Sequence, residues 1–458
     1  MNIRFFIFLT STFFVLACSE DSLEVPVRND IATENFFLTE EDANAAVIGA
    51  YDALQPDSYY GFDYYVLGDV RADNSFAGGD NPNNFSIDNY TLRPTNEVTT
   101  RFFRQVYRAI GRANAAIDGI TSMDESVFQE GRQNELLGES LFLRALNYFN
   151  LVQFYGGVPI VTEATTSLEA DQIFIPRNTE AEVYEQIIND LRQSIDFLDN
   201  QNLEQGRANI GAAETLLAKV QLSLGNFTEV INITNNTMSR GFSLVSDFDT
   251  LFDQQNNDNS EVLFAIQYAG AQEGNVFPEL ILPTPEASFD FIKFNTPTPN
   301  SEMAFENNDV RKASSLVERN GILFVFKWRN GNAFNSADNS IVLRYADVLL
   351  MRAEALNQMQ DNNGAVNLLN EVRNRAGLSN YNGTMTTQAI NEAILNERRV
   401  EFMFEGQRLF DLKRQGFEAT RQAIIQSKNI EIQEFQLLLP IPQGELDRNP
   451  ELTQNPGY

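Results

Sequence analysis

Apolar residues recur at helical spacing along most of this chain, and one stretch shows the pattern most fully. Across residues 341–359 the apolar positions, among them Tyr345, Leu349 and Ala353, lie three or four residues apart, while others cover a second side. A break rich in Asn and Gly follows, and residues 365–376 carry a second stripe. The pattern predicts a buried helix from residue 341, a turn and a second helix.

Residues 209–239 repeat this arrangement, with a break at Gly225 between two stripes. Helical pairs that hide their apolar faces only by stacking on the next pair are the units of tetratricopeptide scaffolds. Two unrelated helix pairs are the alternative. Stripes in residues 103–117, 137–152 and 184–198 predict further core helices. We therefore predict a mainly α fold, a tetratricopeptide-like scaffold of helical hairpins with irregular loop insertions and a few short strands.

Charged residues inside the predicted helices are spaced as pairs, and we expect them to pair inside the protein. The pairs are Arg344 with Asp347, Arg352 with Glu354, Arg398 with Glu401, Glu405 with Arg408, and Asp411 with Arg414. In residues 397–416, an arginine close to each acid should lower the pKa of that acid. This spacing argues against a catalytic carboxylate there.

Composition and net charge exclude several classes of function. The chain has 458 residues with 33 basic and 63 acidic side chains, a net charge of −30, which argues against nucleic acid as a partner. It has no histidine and one cysteine, which excludes Ser-His-Asp and Cys-His catalysis, a histidine zinc site and a disulfide. Carboxylate chemistry is the main enzymatic route that remains.

The N-terminus has the features of a processing signal. Arg4 precedes an apolar run over residues 5–17, which is shorter than a spanning helix needs. A small residue stands directly before Cys18, as in a bacterial lipobox, so Cys18 is the predicted lipidation site, with simple secretion as the alternative. We predict a signal peptide over residues 1–17 and a lipid-anchored tether over residues 18–35.

Five segments resemble the SusD/RagB family, the nutrient-binding outer-membrane lipoproteins of Bacteroidetes, and they occur in the family's order. They are residues 37–54, residues 137–160 with the Tyr-Gly-Gly-Val-Pro ending, residues 344–357, residues 397–416 and the terminal Gln-Asn-Pro-Gly-Tyr. The resemblance implies a single SusD-like domain over residues 36–458, with an N-terminal part to about residue 240 and a C-terminal part from about residue 241.

The family resemblance also implies a function and a place. It implies a lipid-anchored protein on the outer membrane, facing the cell exterior, that captures oligosaccharides. The captured glycan would pass to a TonB-dependent, SusC-like transporter on which the protein sits as a lid. No catalysis and no nucleic acid are implied. The acidic run Ser19-Glu20-Asp21, directly after the cysteine, resembles the surface-export signal of Bacteroidetes lipoproteins.

Two regions, residues 55–100 and 242–340, lack the helical pattern and combine aromatic with amide and charged residues. Loops on a rigid scaffold commonly carry binding sites, and sugars present a face for aromatic stacking and a rim of hydroxyls for polar partners. The candidate ligand-binding residues are Arg71, Asp73, Asn74, Phe76, Asn81, Tyr64, Tyr65, Phe289, Phe291, Phe294 and Trp328. The first four rest on the resemblance to a ligand-lining family segment.

Several alternatives stay open. Trp328 alternates with Phe324 and Phe326 on a predicted strand, which favours a core position for it. The scarcity of tryptophan leaves a peptide ligand possible. A carboxylate-based glycoside hydrolase and a protein-binding scaffold are the rivals from other classes. We predict no cofactor, because the acidic residues 247–258, which could hold calcium, lack the spacing of a calcium loop.

Overall fold

The computed structural model describes residues 36–458, apart from residues 168, 199–205, 258, 272 and 290–292. The predicted signal peptide, the tether and the lipidation site Cys18 lie outside the described residues. So does Phe291, one of the candidate ligand-binding residues.

Most described elements are helices. In chain order they are α1 (Glu40–Asp52), α2 (Asp63–Tyr65), α3 (Pro82–Asp88), α4 (Glu97–Ser122), α5 (Arg132–Tyr155), α6 (Ala170–Ile173), α7 (Glu180–Phe197), α8 (Ile210–Ser223), α9 (Phe227–Met238), α10 (Phe277–Ile281), α11 (Pro299–Met303), α12 (Arg311–Ser315), α13 (Tyr345–Gln358), α14 (Asn362–Arg375), α15 (Thr387–Glu401), α16 (Arg408–Arg414), α17 (Phe417–Lys428) and α18 (Gln443–Leu446). A π-helical segment, Val66–Val70, continues α2.

The strands are short and pair two by two. They are β1 (Ser75–Phe76), β2 (Val262–Ile266), β3 (Thr296–Pro297), β4 (Leu316–Arg319), β5 (Ile322–Val325) and β6 (Ser340–Arg344). The antiparallel pairs are β1 with β3, β2 with β6, and β4 with β5. The first pair joins the two insertions, the third lies within the second insertion, and the second joins that insertion to the segment directly before α13.

The long helices form one continuous stack. Each of α1, α4, α5, α7, α8, α9, α13, α14 and α15 packs against the next in that order. The junction of the two predicted hairpins is closely packed, because Ala218 of α8, Val230 of α9, and Met351 and Ala355 of α13 share one buried cluster. This stack confirms the predicted tetratricopeptide-like scaffold, in which each pair covers the apolar face of its neighbour.

The first predicted helix begins later than expected. Residues 341–344 belong to β6, which pairs with β2 in the register Val262 to Arg344 and Ile266 to Ser340. Arg344 has extended backbone angles and precedes α13. The helical spacing of residues 341–344 was misleading. The β-branched residues Ile341 and Val342 suit a strand, and the partner strand β2 lies far away in the sequence.

Most of the charged helix residues are buried and form ion pairs, but with other partners than their spacing predicts. Arg352 is half-buried and donates to the Ile231 carbonyl instead of Glu354. Arg344 binds Glu261 and Glu405, each at 2.9 Å, instead of Asp347. Asp347 binds Lys219 and Arg398, and Glu354 binds Arg414. Among the predicted pairs, Asp411 with Arg414 is present at 3.0 Å. In a stack of helices, neighbours on the next helix compete with those one turn away.

One large core runs through both halves of the chain, from Ala50 to Ile441. Within the described part of the chain, no helix combines the length and apolar character of a membrane span.

Candidate functional site

The two insertions meet at the β1–β3 pair. Ser75 lies opposite Pro297 and Phe76 opposite Thr296, and the Thr298 amide donates to the Asn74 carbonyl at 2.8 Å. This short ladder joins segments that are more than 200 residues apart in sequence. The region around it contains most of the residues that sequence analysis selected.

Buried rings from both insertions also contact one another. Tyr65 stacks on Phe277 with ring centroids 4.3 Å apart, and Trp328 meets both rings edge-on at 5.3 and 4.8 Å. Phe62 contacts Phe294 edge-on at 5.7 Å. Trp328 is 4% exposed and Tyr65 is 1% exposed, so these rings are out of reach of a ligand on the surface. Tyr64 is likewise buried.

Asp73 and Asn74 fasten the first insertion to the C-terminal segment. Both are buried, and the Arg408 guanidinium donates two hydrogen bonds, of 2.8 and 3.0 Å, to the Asp73 carboxylate. Burial alone would raise the pKa of Asp73, but Arg408 and then Arg399 lower it to about 2. Arg399 also donates to the Asn74 side-chain oxygen at 2.8 Å. Their polar groups face the protein.

Arg71 is buried as well. Its guanidinium is 0% exposed, donates to the Gln436 carbonyl at 2.6 Å and lies 5.7 Å from the centre of the Tyr90 ring. In this arrangement a glycan cannot reach Arg71, Asp73 or Asn74 from solvent. The segment that contains Arg71, Asp73 and Asn74 resembles a ligand-lining motif of the family. In this structure these three residues lie below the surface and support it.

Asp69, which sequence analysis did not select, ties three segments together. It lies in the π-helical segment, accepts from the Asn295 side chain at 3.1 Å and from the Gly406 amide at 3.0 Å, and is 0% exposed. Burial raises the pKa of Asp69 to about 7, although the two donors oppose this. No spacing signal in the sequence relates residues 69, 295 and 406.

The remaining candidates lie nearer the surface. Phe76 and Phe294 are half-buried, and half-buried Asn81 caps α3 by accepting from the Asn83 amide at 3.0 Å. Phe289 is 48% exposed. Its ring lies 5.9 Å from that of Phe334, which is 38% exposed, with an angle of 41° between the planes.

Phe289 and Phe334 are the only exposed aromatic side chains within the described residues, and they touch each other. The full chain contains 36 phenylalanines, 14 tyrosines and one tryptophan, so exposure of a ring is unusual here. Sequence analysis missed Phe334. The Asn-Gly-Asn before Ala333 is a turn signal that would have placed Phe334 on a tight loop.

The loop that carries Phe334 has an unusual backbone. Asn332, Ala333 and Phe334 have φ of 49°, 49° and 69°, in the left-handed region that residues with a Cβ seldom adopt. The Gly331 amide donates to the Glu286 carbonyl at 2.9 Å, and the Asn335 side chain donates to the Ala333 carbonyl at 3.1 Å. Such strain persists where surrounding contacts hold it, and it is common at binding sites.

Comparison with known proteins agrees with this fold. Residues 300–458 match the SusD family, and residues 23–222 match a family described as starch-binding and associating with the outer membrane. The chain belongs to the SusD/RagB family. SusD-like protein P2 of Formosa agariphila is 28% identical over 498 residues, which cover 97% of each chain.

Solved structures of SusD proteins share the architecture. A SusD superfamily protein from Bacteroides vulgatus has a TM-score of 0.83 at 24% identity, over 92% of this chain and 100% of that one. A laminarin-binding SusD-like protein has a TM-score of 0.79 at 25% identity, with the same coverage. The predicted family and fold are both confirmed.

The acids of this SusD/RagB chain between residues 397 and 411 are buried among arginines. Burial opposes the ionised form of Glu401, but Arg375, Arg344 and Arg311 hold its pKa well below the usual range. Burial raises the pKa of Glu397 and of Asp411 despite their arginine partners, so the predicted lowering was wrong for these two. None of the three is exposed to a substrate.

Within the described residues, no group of three or more acidic, histidine or cysteine side chains is placed to hold a metal ion. The predicted absence of a cofactor stays a prediction.

Proposed function

We propose that this protein is a glycan-binding lipoprotein of the outer membrane that captures oligosaccharides on the surface formed by Phe289 and Phe334. The observation that carries the proposal is the contact between these two exposed rings. A sugar ring can stack its C–H face on an aromatic plane, and two tilted planes suit two units of a bent chain. Half-buried Phe294 and Asn81 lie on the insertions that frame this surface.

The relatives support a glycan as the ligand. One matched family is described as starch-binding, and one structural neighbour is named as a laminarin-binding protein. The buried rings of both insertions and the ion pairs of Asp73 give the insertions a rigid base. A preformed surface of this kind binds without the entropy cost of ordering a loop. The proposal needs no catalytic group.

We also propose that the bound glycan passes to a TonB-dependent outer-membrane transporter on which this protein sits as a lid. Lipidation of Cys18 and exposure to the cell exterior belong to the same proposal, since capture requires access to external glycans. Co-purification of the lipidated protein from outer membranes with a barrel protein is expected. Recovery of the protein alone under mild detergent would count against the delivery step.

The binding step is tested with a soluble form that starts at Ser19. We expect retention by laminarin or another neutral glycan in affinity gels and a measurable heat of binding in calorimetry. Phe289→Ala and Phe334→Ala should each weaken binding by about 5- to 30-fold, as expected for the loss of about 1–2 kcal/mol. Met303→Ala is the matched control, because Met303 is 71% exposed and lies on α11.

Equal binding by wild type and both phenylalanine variants would remove the aromatic surface as the site. Binding of peptides and of no glycan would keep the surface and replace the ligand class. Release of reducing ends from a glycan would favour the hydrolase.

A further inference from the structure

Two surface clefts lie side by side at the edge of the helical stack. The first has a volume of about 290 Å³ and is lined by Arg240, Phe242, Asn257 and Asn259, among others. The second has a volume of about 350 Å³ and is lined by α1 and the end of β2. Volumes of this size match the lower end of small-molecule sites.

The two clefts share a wall, called here the ridge. Both are lined by Gly206, Arg207, Ala265 and Gln267. Gly206 has a φ of +82°, and a methyl group there would lie 2.3 Å from the Gln267 side chain. Any larger residue at this position would therefore push against Gln267 and raise the ridge. The clefts are neighbouring depressions of one surface.

The second cleft leads toward the aromatic pair. Glu273 lines this cleft and lies on a turn that packs against the loop of Phe334. A methyl group on Gly274 would lie 2.4 Å from the Asn335 Cα, and Asn275 forms a two-way backbone bridge with Ser336. The wall of the cleft and the loop that presents Phe334 are thus parts of one packed unit.

The cleft linings suit a neutral, hydroxyl-rich ligand. Several charged lining groups already have ion-pair partners: Arg207 pairs with buried Glu139 and Arg240 with buried Glu214, while Asp52 pairs with Arg112 at the surface. Amide and hydroxyl side chains of the linings include Asn257, Asn259, Ser260 and Gln55. The last three already make hydrogen bonds within the protein, but each amide or hydroxyl group can form more than one bond. Phe242 and Ile48, which is 50% exposed, add apolar contact area.

We infer that the two clefts hold further sugar units of a glycan chain whose other units stack on Phe289 and Phe334. This inference rests on the proposed function and adds the ligand's size: the protein takes chains of several units and binds them better than a disaccharide. The sequence motifs and the exposed ring pair give the clefts no role of their own.

The test is a length series of laminari- and malto-oligosaccharides, from disaccharide to hexasaccharide, measured by calorimetry on the soluble protein. Wild type should bind the hexasaccharide at least about tenfold more tightly than the disaccharide. Asn257→Ala combined with Ile48→Ala should remove most of that gain and leave disaccharide binding unchanged. Phe289→Ala should weaken both ligands.

The control combines Asn382→Ala with Val310→Ala, because both residues are exposed and lie away from the clefts. The control should keep the full gain with chain length, and melting temperatures should agree among all variants. Equal affinity for short and long chains, or a gain that survives in the cleft variant, would overturn this inference alone. Absence of binding to any oligosaccharide would overturn the proposed function together with it.

Discussion

Asp69 is a single carboxylate on which three distant segments converge. Its bonds to Asn295 and Gly406 join both insertions to the C-terminal helices. Because its pKa rises from an ordinary 3.8 to about 7 on folding, ionisation of Asp69 opposes the folded state. Its contribution to stability is complete below about pH 4 and is lost as the pH rises through about 7.

Asp69→Asn should therefore change the pH dependence of stability. The variant amide cannot ionise, and its oxygen can still accept from Gly406. Its nitrogen can donate to the Asn295 oxygen once the Asn295 amide turns over, since this oxygen has no hydrogen-bond partner among the described residues. The free energy of unfolding of wild type minus that of the variant should fall between pH 4 and pH 8, by up to about 4 kcal/mol. Urea unfolding across this range measures it.

Asp80→Asn is the control for this measurement. Asp80 is exposed, so its carboxylate is in contact with water in both the folded and the unfolded chain, and this variant should leave the pH dependence of stability unchanged. A difference between wild type and Asp69→Asn that stays constant with pH would show that Asp69 does not titrate on folding.

For single residues, the sequence predicted only part of which side chains are exposed. Phe289 is exposed, as its choice as a candidate ligand-binding residue requires, whereas Arg71 and Asp73 are buried although their segment is polar. The Arg408 partner of Asp73 lies 335 positions away, and nothing local in either segment indicates the pair. Residue type tells which chemistry is possible, but the direction of a side chain depends on contacts that only the complete fold supplies.

The helices, in contrast, follow closely from local pattern. The two predicted hairpins occur as α8 with α9 and as α13 with α14. Apolar spacing predicts helices well because the buried stripe and the turn of the backbone share one period. The start of α13 was missed, because β6 depends on a partner strand about 80 residues away.

Met351 tests the stacking of one hairpin on the next. It is 0% exposed in the cluster that joins α8 and α9 to α13. Met351→Ala should lower the free energy of unfolding by about 2–5 kcal/mol, through lost burial and an unfilled cavity. Met359, at the end of the same helix, is 53% exposed, so Met359→Ala should change it by less than about 0.5 kcal/mol. Comparable losses in the two variants would mean that the junction is loosely packed.

At the scale of the whole molecule, acidic charge dominates. The chain carries 63 acidic and 33 basic side chains, and many of the basic ones are held in buried ion pairs such as Arg344 with Glu261 and Arg398 with Asp347. The surface field is therefore negative, and it repels anionic ligands at low ionic strength.

This charge predicts how binding depends on salt. Affinity for a neutral glycan should change by less than about twofold between low and high salt, because screening acts only on charges. An anionic glycan such as polygalacturonate should bind poorly at low salt and improve as salt is added. Calorimetry of both ligands across a sodium chloride series measures this, and tight anionic binding that salt weakens would point to a local basic site.

The single tryptophan has an optical consequence. Trp328 is 4% exposed and lies edge-on against Tyr65 and Phe277, and α10, which carries Phe277, packs against the loop of Phe334. Its fluorescence therefore reports whether this packing is intact, and a saccharide resting on Phe289 should leave the emission unchanged. A red shift of the tryptophan emission therefore reports loss of structure. Binding of a saccharide has to be followed by a second signal, such as the heat measured in calorimetry.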